Sequence, residues 1–477
     1  MYVVAAMETF DFVVIGGGSA GFSAAKVAAL SGLRTVCVEG GEEVGGTCIL
    51  RGCMPSKTFI ESANRFTTLR RAQEFGLSAG HVGFDAEAII HRKRELVAEF
   101  AKHRVEQLTE GKFKFVRGRA EFTDSHHVKV KLMNGGEESI EGKTFLISTG
   151  SVLNYIDLPG LDETGCLDSD TALNSNRFPR SVVILGGGAI ALEFAHFYNA
   201  LGLEVTVLQR SNQVIKEADP DIAETLVAAF RKRGIRVICG TKLTRVERTA
   251  NGKSVWYERN GEKLVAEAEE IFYALGRKAA VEGLGLEKAG VAMNKEKAVA
   301  VEDTLQTTLQ PHIFAAGDVT GLYEIVHIGI QQGEIAARNA KNLLEGKKLT
   351  SIDYRLKMFV MFPEPQIAVV GRTEREAAEQ GLAVRVARHS FSEHGKSMIH
   401  GETEGFVKLI VCARSGEILG GAVIGPEASD IIHEIAVAMN FHSTAATLAS
   451  VPHYHPTLSE IWTYPAEELA QVDERSH

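Results

Sequence analysis

The sequence predicts an α/β protein: two strand–turn–helix–strand units followed by a C-terminal α+β region. Three observations carry this prediction. Residues 10–15 (FDFVVI) are a short apolar run with β-branched members, the pattern of a buried strand, and lead directly into Gly16-Gly17-Gly18-Ser19-Ala20-Gly21. Residues 181–185 repeat the arrangement before Gly186-Gly187-Gly188-Ala189-Ile190-Ala191. Beyond Asp353 no such fingerprint returns; residues 406–411 and 418–423 pattern as a hairpin around Ser415-Gly416, with helical runs from about Glu427.

In the first unit an alanine-rich helical stretch runs to about Ser31, and residues 34–38 read as a second strand ending at Glu39. Strand, GxGxxG, helix, strand and then an acid about 20 residues on is the context a dinucleotide fingerprint requires. Gly16, Gly18 and Gly21 let backbone N–H groups approach a pyrophosphate at the helix N-terminus. Glu39 is the expected acceptor for ribose hydroxyls. Residues 145–150 return as a buried strand ending in the small residues Ser148, Thr149 and Gly150.

Between these strands lies Gly45-Gly46-Thr47-Cys48-Ile49-Leu50-Arg51-Gly52-Cys53-Met54-Pro55-Ser56-Lys57. In a regular helix, positions five apart point about 140° away from each other, so Cys48 and Cys53 can close a ring only if the segment distorts. The glycines supply that freedom. A pair that opens and closes also needs one thiolate. The other cysteines are Cys37, Cys166, Cys239 and Cys412, too few in all for a disulfide scaffold. One redox-active pair in a reducing cytosol fits this usage better.

Residues 85–111 then read as an amphipathic helix, and residues 112–131 as strands broken around Gly118 and an Asp124-Ser125 turn. Pro159-Gly160 marks a crossing loop.

The second fingerprint is GxGxxA, with Gly186, Gly188 and Ala191 at its defining positions. Its helix runs to about Leu201, and residues 205–208 form the next strand. Where the first unit has Glu39, this one has Gln209, then Arg210, with Lys216 following. An acid there favours NAD; two basic residues in its place favour the 2′-phosphate of NADP. Residues 271–277, which include Gly276, read as the strand and turn that close this unit. Two dinucleotide folds imply two nucleotides, a fixed one beside the dithiol and a mobile one on the second unit. Residues 308–318 (TLQPHIFAAGD) read as a strand ending at Asp318, with a helix to about Leu344.

The last signal is His453-Tyr454-His455-Pro456-Thr457-Leu458-Ser459-Glu460. Pro456 is expected in the first turn of a helix. Glu460 can fix the tautomer of His455 and leave its other nitrogen to trade protons, as thiol–disulfide exchange requires. His453 is expected to support this pair.

The chain has 477 residues, 45% of them hydrophobic, and a net charge of -9 with its charges interspersed. That length suits about three domains of ordinary size. No basic stripe points to nucleic acid, and no run of about 18 apolar residues points to a membrane. The first ten residues lack the basic start and long apolar run of a signal peptide, and Met7 could be the natural start. A cytoplasmic location is expected, with no metal site.

Taken together, GGTCxxxGCxPSK, HPTxxE and the two fingerprints resemble the pyridine nucleotide–disulfide oxidoreductases of the dihydrolipoamide dehydrogenase, glutathione reductase and mercuric reductase type. The resemblance runs from about Phe10 to Glu460. It implies two Rossmann-like domains and a C-terminal dimerisation domain, divided as 1–152 with 281–350, 153–280, and 351–477. It implies FAD on Gly16, Gly18, Gly21, Glu39, Gly46, Thr47, Thr149 and Gly150, with Asp318 near the ribityl and phosphate region. NAD(P), NADPH rather than NADH, is expected on Gly186, Gly188, Ala191, Gln209, Arg210, Lys216 and Gly276.

The resemblance further implies that Cys53 faces the flavin, Cys48 exchanges with substrate, and Lys57 pairs with Glu193. It implies a homodimer in which His455 and Glu460 serve the dithiol of the other subunit. The substrate would be a small or protein-bound disulfide or dithiol. Ala189 replaces a bulky residue that shields the flavin in many relatives. Lys26 and Glu334 stand where glutathione reductases use arginines, which disfavours glutathione. The absence of a C-terminal cysteine pair disfavours mercury reduction. The HPTLSE segment looks most like dihydrolipoamide dehydrogenase, whereas Gln209-Arg210 does not. A quinone or metal-ion reductase on this scaffold, and a flavoprotein subunit of a larger complex, are the alternatives.

Overall fold

The structure, a computed structural model, describes residues 8–474, so Met7 as an alternative start lies outside the described residues. The chain groups into two compact units. One holds the described residues up to Pro55 with His91–Tyr155 and Gly276–Asp353; the other holds Ser56–Ile90, Ile156–Leu275 and the chain from Tyr354 onward. This grouping joins most of the expected 153–280 and 351–477 regions into one unit.

In the first unit, Glu8–Ile15 is flanked by Thr35–Glu39 and Glu137–Ile147, all parallel, with Ile15 opposite both Val38 and Ile147. Lys114–Phe122 extends this sheet beyond Thr35–Glu39, and Ile313–Ala315 extends it beyond Glu137–Ile147. Helices cover such sheets on both faces, which is why Val13, Val14 and Ile15 follow one another without polar alternation. Gly118 does not break its strand as the sequence suggested. It marks where Lys114–Phe122 changes partner, from Arg117 opposite Glu39 to Gly118 opposite Leu132 in the antiparallel strand His127–Leu132. A Cβ there would lie 2.6 Å from Val130 Cγ1, so the crossing demands glycine.

The helices Ser19–Leu30 and Val326–Leu344 pack face to face. Gly333 permits the approach, since a Cβ on it would fall 2.2 Å from the Ala20 carbonyl oxygen. The expected strand over residues 308–318 is shorter than predicted, only Ile313–Ala315. A turn in which Ile313 N donates to Gln310 O (2.9 Å) occupies its first half.

The second unit carries a parallel sheet ordered Glu270–Tyr273, Ser181–Leu185, Glu204–Gln209, Arg236–Cys239. A three-stranded antiparallel sheet, Lys242–Thr249, Gly252–Arg259 and Glu262–Ala268, is inserted in it. Its C-terminal part is a five-stranded antiparallel sheet whose centre is the expected hairpin, Phe406–Cys412 with Ile418–Gly425. Helices Ala428–Asn440 and Thr463–Glu474 pack on this sheet. Trp462 is fully buried there and donates its Nε1–H to Ile431 O at 3.0 Å. Among the described residues no helix is long and apolar enough to cross a membrane.

Gly333→Val should strain the helix crossing and cost about 1–3 kcal/mol, the usual range for overpacking. A lowered midpoint in chemical denaturation of the purified protein is the expected reading; an unchanged midpoint would refute the close approach.

Candidate active site

The first fingerprint is a cradle that side chains would fill. Gly16 has φ +105, and a Cβ on it would lie 2.4 Å from Ser148 O; one on Gly21 would lie 1.9 Å from Gly16 O. These approaches bring Ser148, Thr149 and Gly150, at the end of the neighbouring strand, against the turn. Thr149 Oγ1 donates to Ala280 O at 2.7 Å. The helix Ser19–Leu30 has neither a side-chain cap nor an acid in its first turn. Its N-terminal N–H groups therefore offer positive potential without an internal counter-charge, which fits a pyrophosphate.

Glu39 lies at this turn, but its carboxylate is tied to the backbone. Oε2 accepts from Gly17 N at 2.7 Å and Oε1 from Gly41 N at 2.6 Å. It thus shapes the loop at the fingerprint turn. Asp318 Oδ2 accepts from Ser151 Oγ at 2.7 Å, and Ser151 Oγ accepts from Arg277 Nε at 2.8 Å. Burial, with the charge of Asp318 adding to it, pushes the Glu324 carboxyl above its usual range.

The dithiol segment is broken as its spacing demanded. A short helix, Gly46–Leu50, ends at Arg51 (φ -142, ψ 9), and a new helix, Cys53–Arg70, begins at the second cysteine. Both cysteines are half-buried. Gly46 has φ +71, and a Cβ on it would stand 2.8 Å from Gly18 Cα. The dithiol segment is therefore seated directly on the fingerprint glycine. Elsewhere, burial pushes the thiol of Cys37 far up and that of Cys166 up to about 11. Cys412 is lowered by hydrogen bonds from Ser415, on a strand of the other unit.

Four residues beyond Cys53 on the same helix, Lys57 Nζ donates to both oxygens of Glu193, at 2.8 and 2.7 Å. Glu193 also accepts from Phe362 N at 3.2 Å, and the Lys57 ammonium stands 4.8 Å from the Phe362 ring centroid. Sequence reasoning missed Phe362, since nothing local marks it. The second fingerprint repeats the first: Gly186 has φ +113, and a Cβ would lie 2.3 Å from Ala274 O. Ala191 is buried, and the helix Ala189–Ala200 is likewise uncapped with no acid in its first turn. A Cβ on Gly187 would be 3.0 Å from Gln209 Cδ, so Gln209 borders the loop. Arg210 and Lys216 are exposed. Gly276 has φ +98 and accepts from Asn154 N at 3.1 Å in the first unit.

His455 Nδ1 and Glu460 Oε2 are 3.0 Å apart, with the histidine side chain 79% exposed and the carboxylate 10%. Pro456 does not open a helix as expected: it follows a cis bond from His455, and the next helical turn starts at Ser459. Sequence reasoning also missed His394, a lone histidine in a loop. It is fully buried, its Nδ1 lies 2.9 Å from Ser397 Oγ and its Nε2 lies 3.4 Å from Glu460 Oε1. Burial holds it below the ordinary histidine range despite the carboxylate. Glu460 is thus held between an exposed and a buried imidazole. His453 forms a pair of its own, Nε2 to Glu434 Oε1 at 2.5 Å.

One acidic cluster among the described residues has metal-ligand spacing: Asp219, Asp221 and Glu374. Lys408 Nζ sits within it, at 2.7, 2.9 and 2.9 Å from the three carboxylates, and supplies the cation. Glu334 is paired with Arg338 at 3.0 Å.

Comparison with known proteins agrees with this arrangement. Residues 10–333 match the family described as pyridine nucleotide-disulphide oxidoreductase, and residues 359–466 match its dimerisation domain. The chain is 34% identical to a dihydrolipoyl dehydrogenase of Chlamydia muridarum, over 98% of each chain. It is 33% identical to a mercuric reductase of Bacillus cereus, over 94% of this chain and 70% of that one. Among solved structures, LpdA from Mycobacterium tuberculosis is similar at TM-score 0.87 and 28% identity, covering 97% of this chain and 100% of that one. The HOCl-induced flavoprotein disulfide reductase RclA from Escherichia coli, as its Cu(II) complex, is similar at TM-score 0.84 and 28% identity, with the same coverage.

The His453 pair has a pH signature. Burial opposes its charge, but the hydrogen bond to Glu434 prevails and raises its pKa above 6.5. Its contribution is therefore complete below the unfolded value and fades as pH rises through the folded one. The melting-temperature deficit of His453→Gln should be larger at acidic than at alkaline pH; a deficit that grows with pH would contradict the pairing.

Proposed function

Because the chain belongs to the pyridine nucleotide-disulphide oxidoreductases, we propose that it is an FAD-dependent disulfide reductase, or dithiol dehydrogenase in reverse, that prefers NADPH and resembles dihydrolipoyl dehydrogenase in its chemistry. The observation that carries this reading is the helix break between Cys48 and Cys53, seated by Gly46 on Gly18 of the fingerprint. Gly16, Gly18, Gly21, Glu39, Gly46, Thr47, Thr149, Gly150 and Asp318 would hold FAD. When bound, the flavin supplies two-electron transfer between the nicotinamide and the dithiol.

The chain's own residues do the sulfur chemistry. Cys48 as thiolate attacks one sulfur of the substrate disulfide, and the other sulfur leaves with the bond's electron pair. His455 gives that sulfur its proton from Nε2, while Glu460 keeps the remaining proton on Nδ1. Cys53 as thiolate then attacks the Cys48 sulfur, which releases the second thiol and closes the Cys48–Cys53 disulfide. Lys57 and Glu193 form a fixed charge pair one helical turn beyond Cys53. His455 is exposed in the region that matches the dimerisation domain, which supports a homodimer in which each dyad serves the other subunit's dithiol.

Gly186, Gly188 and Ala191 would cradle the mobile nucleotide's pyrophosphate, with Gly276 closing the site. Gln209, Arg210 and Lys216 give the ribose end a neutral amide and two exposed cations, which suits a 2′-phosphate. The domains would run 1–152 with 281–350 for FAD, 153–280 for NADPH, and 351–477 for the subunit interface.

His455→Ala should slow reduction of lipoamide by roughly 100-fold or more, the scale of a general acid–base residue. The same variant should pass electrons from NADPH to a quinone at the wild-type rate, as should Cys48→Ser. Full lipoamide turnover in either variant removes that residue from the mechanism. Separately, Arg210→Glu should lower the ratio of kcat/KM for NADPH over NADH by about tenfold, the loss of one charge-assisted contact. An unchanged ratio would defeat the cofactor assignment.

A further inference from the structure

An apolar side chain would fill the place of His394 without an orphaned nitrogen. The chain fixes this residue from both directions. Its N–H donates to Phe391 O at 3.2 Å, closing one helical turn, and its carbonyl accepts from Met398 N at 3.1 Å in the helix Gly395–His400. The residue is fully buried, its ring edge-on to those of Phe391 and Tyr464 at centroid distances of 6.4 and 6.3 Å. Ser397 Oγ meets Nδ1 at 2.9 Å. Nε2 has no hydrogen-bond partner, yet Glu460 Oε1 lies 3.4 Å from it. A carboxylate at that distance repels a bare ring lone pair and attracts an N–H. The favoured tautomer therefore carries its proton on Nε2 and accepts from the Ser397 hydroxyl on Nδ1. Burial holds His394 below the ordinary histidine range, so Glu460 faces a dipole there and not a second cation.

Glu460 is pinned at its backbone: its N–H donates to Thr457 Oγ1 at 3.3 Å, and its carbonyl accepts from Thr463 Oγ1 at 2.7 Å. The last torsion of a glutamate is soft, so a carboxylate held at one oxygen can still turn. Here an imidazole stands at each oxygen, His455 Nδ1 at 3.0 Å from Oε2 and His394 Nε2 at 3.4 Å from Oε1. We propose that His394 is a positioning residue that braces Glu460 Oε1, so that Oε2 stays on His455 Nδ1 throughout the exchange. This rests on the disulfide-reductase reading above and deepens it. The leaving substrate sulfur departs with the electron pair of the S–S bond and takes its proton from His455 Nε2. His394 gives up no proton and changes charge at no step; it acts only by holding the carboxylate in line.

Two disulfides test this with the purified holoenzyme under NADPH: lipoamide, whose leaving alkyl sulfur needs a proton, and dithiobis(nitrobenzoate), whose aromatic thiolate leaves without one. His394→Ala should lower kcat/KM for lipoamide by about tenfold, through kcat and not KM, the usual worth of a hydrogen bond to a charged group. It should slow the aromatic disulfide far less. His394→Gln, whose amide N–H can stand near the place of Nε2, should recover most of the lipoamide rate; His394→Asn, whose amide reaches only as far as Nδ1, should not. In a Glu460→Gln background His394→Ala should add no further loss, because its action passes through the carboxylate. An unchanged lipoamide rate in His394→Ala overturns the proposal. So does an equal slowing of both disulfides, or a loss that adds in full to that of Glu460→Gln; either would make His394 a packing residue. Should His394→Ala lose its flavin, the Gln and Asn variants decide, and equal lipoamide rates in the two overturn the proposal. A wild type that reduces neither disulfide defeats the disulfide-reductase reading itself, whereas an active wild type with indifferent His394 variants defeats only this inference.

Discussion

The approach of Gly46 to Gly18 is the constraint on which the redox end of the molecule depends. Gly46 could not carry a Cβ without prying the dithiol segment from the fingerprint turn, since that atom would stand 2.8 Å from Gly18 Cα. Because that contact is backbone on backbone, it fixes the short helix Gly46–Leu50 with little freedom to drift. The break at Arg51 then separates two consecutive helices, with Cys48 in the first and Cys53 opening the second. The same logic of forced proximity recurs at Gly16 against Ser148 and at Gly186 against Ala274. In each, a strand end delivers small residues to a glycine turn. The two fingerprints are alike because one steric problem is solved twice.

Electrostatics divides the sites in a different way. Carboxylates that shape the structure are tied at both oxygens: Glu39 to Gly17 and Gly41, Glu193 to Lys57 and Phe362. Glu460 has one oxygen on His455 and its other near the buried His394. A neutral imidazole behind the carboxylate leaves its negative charge uncompensated on that side, so the charge is available to the exposed ring. A cation there would compete for it. Depressing His394 by burial therefore keeps the Glu460 carboxylate directed toward His455 alone.

Much of this was legible in the sequence because it depends on local spacing. Glycine turns, the acid at 39, the cysteine pair and the HPTLSE segment announce themselves within a few residues. What escaped was set by long-range packing. Phe362 reaches the Lys57–Glu193 pair from 169 residues beyond Glu193, and His394 sits behind Glu460 from a loop with no distinguishing pattern. Gly118 misled because glycine in a strand can end it or let it change partners, and only the sheet decides which. Pro456 misled because a proline ahead of a helical turn can also sit in the bend that precedes it.

Arg104 falls between these cases. Its position on the stripe Lys93, Val97, Phe100, Arg104 and Leu108 of the helix Ala86–Thr109 could be read from periodicity alone, and a charge on such a stripe is a conflict between pattern and residue type. Such conflicts persist where they serve a site, since an apolar residue of similar size would pack there at lower cost. Lys93, three turns earlier on the same face and also buried, shows that the conflict is not confined to one residue.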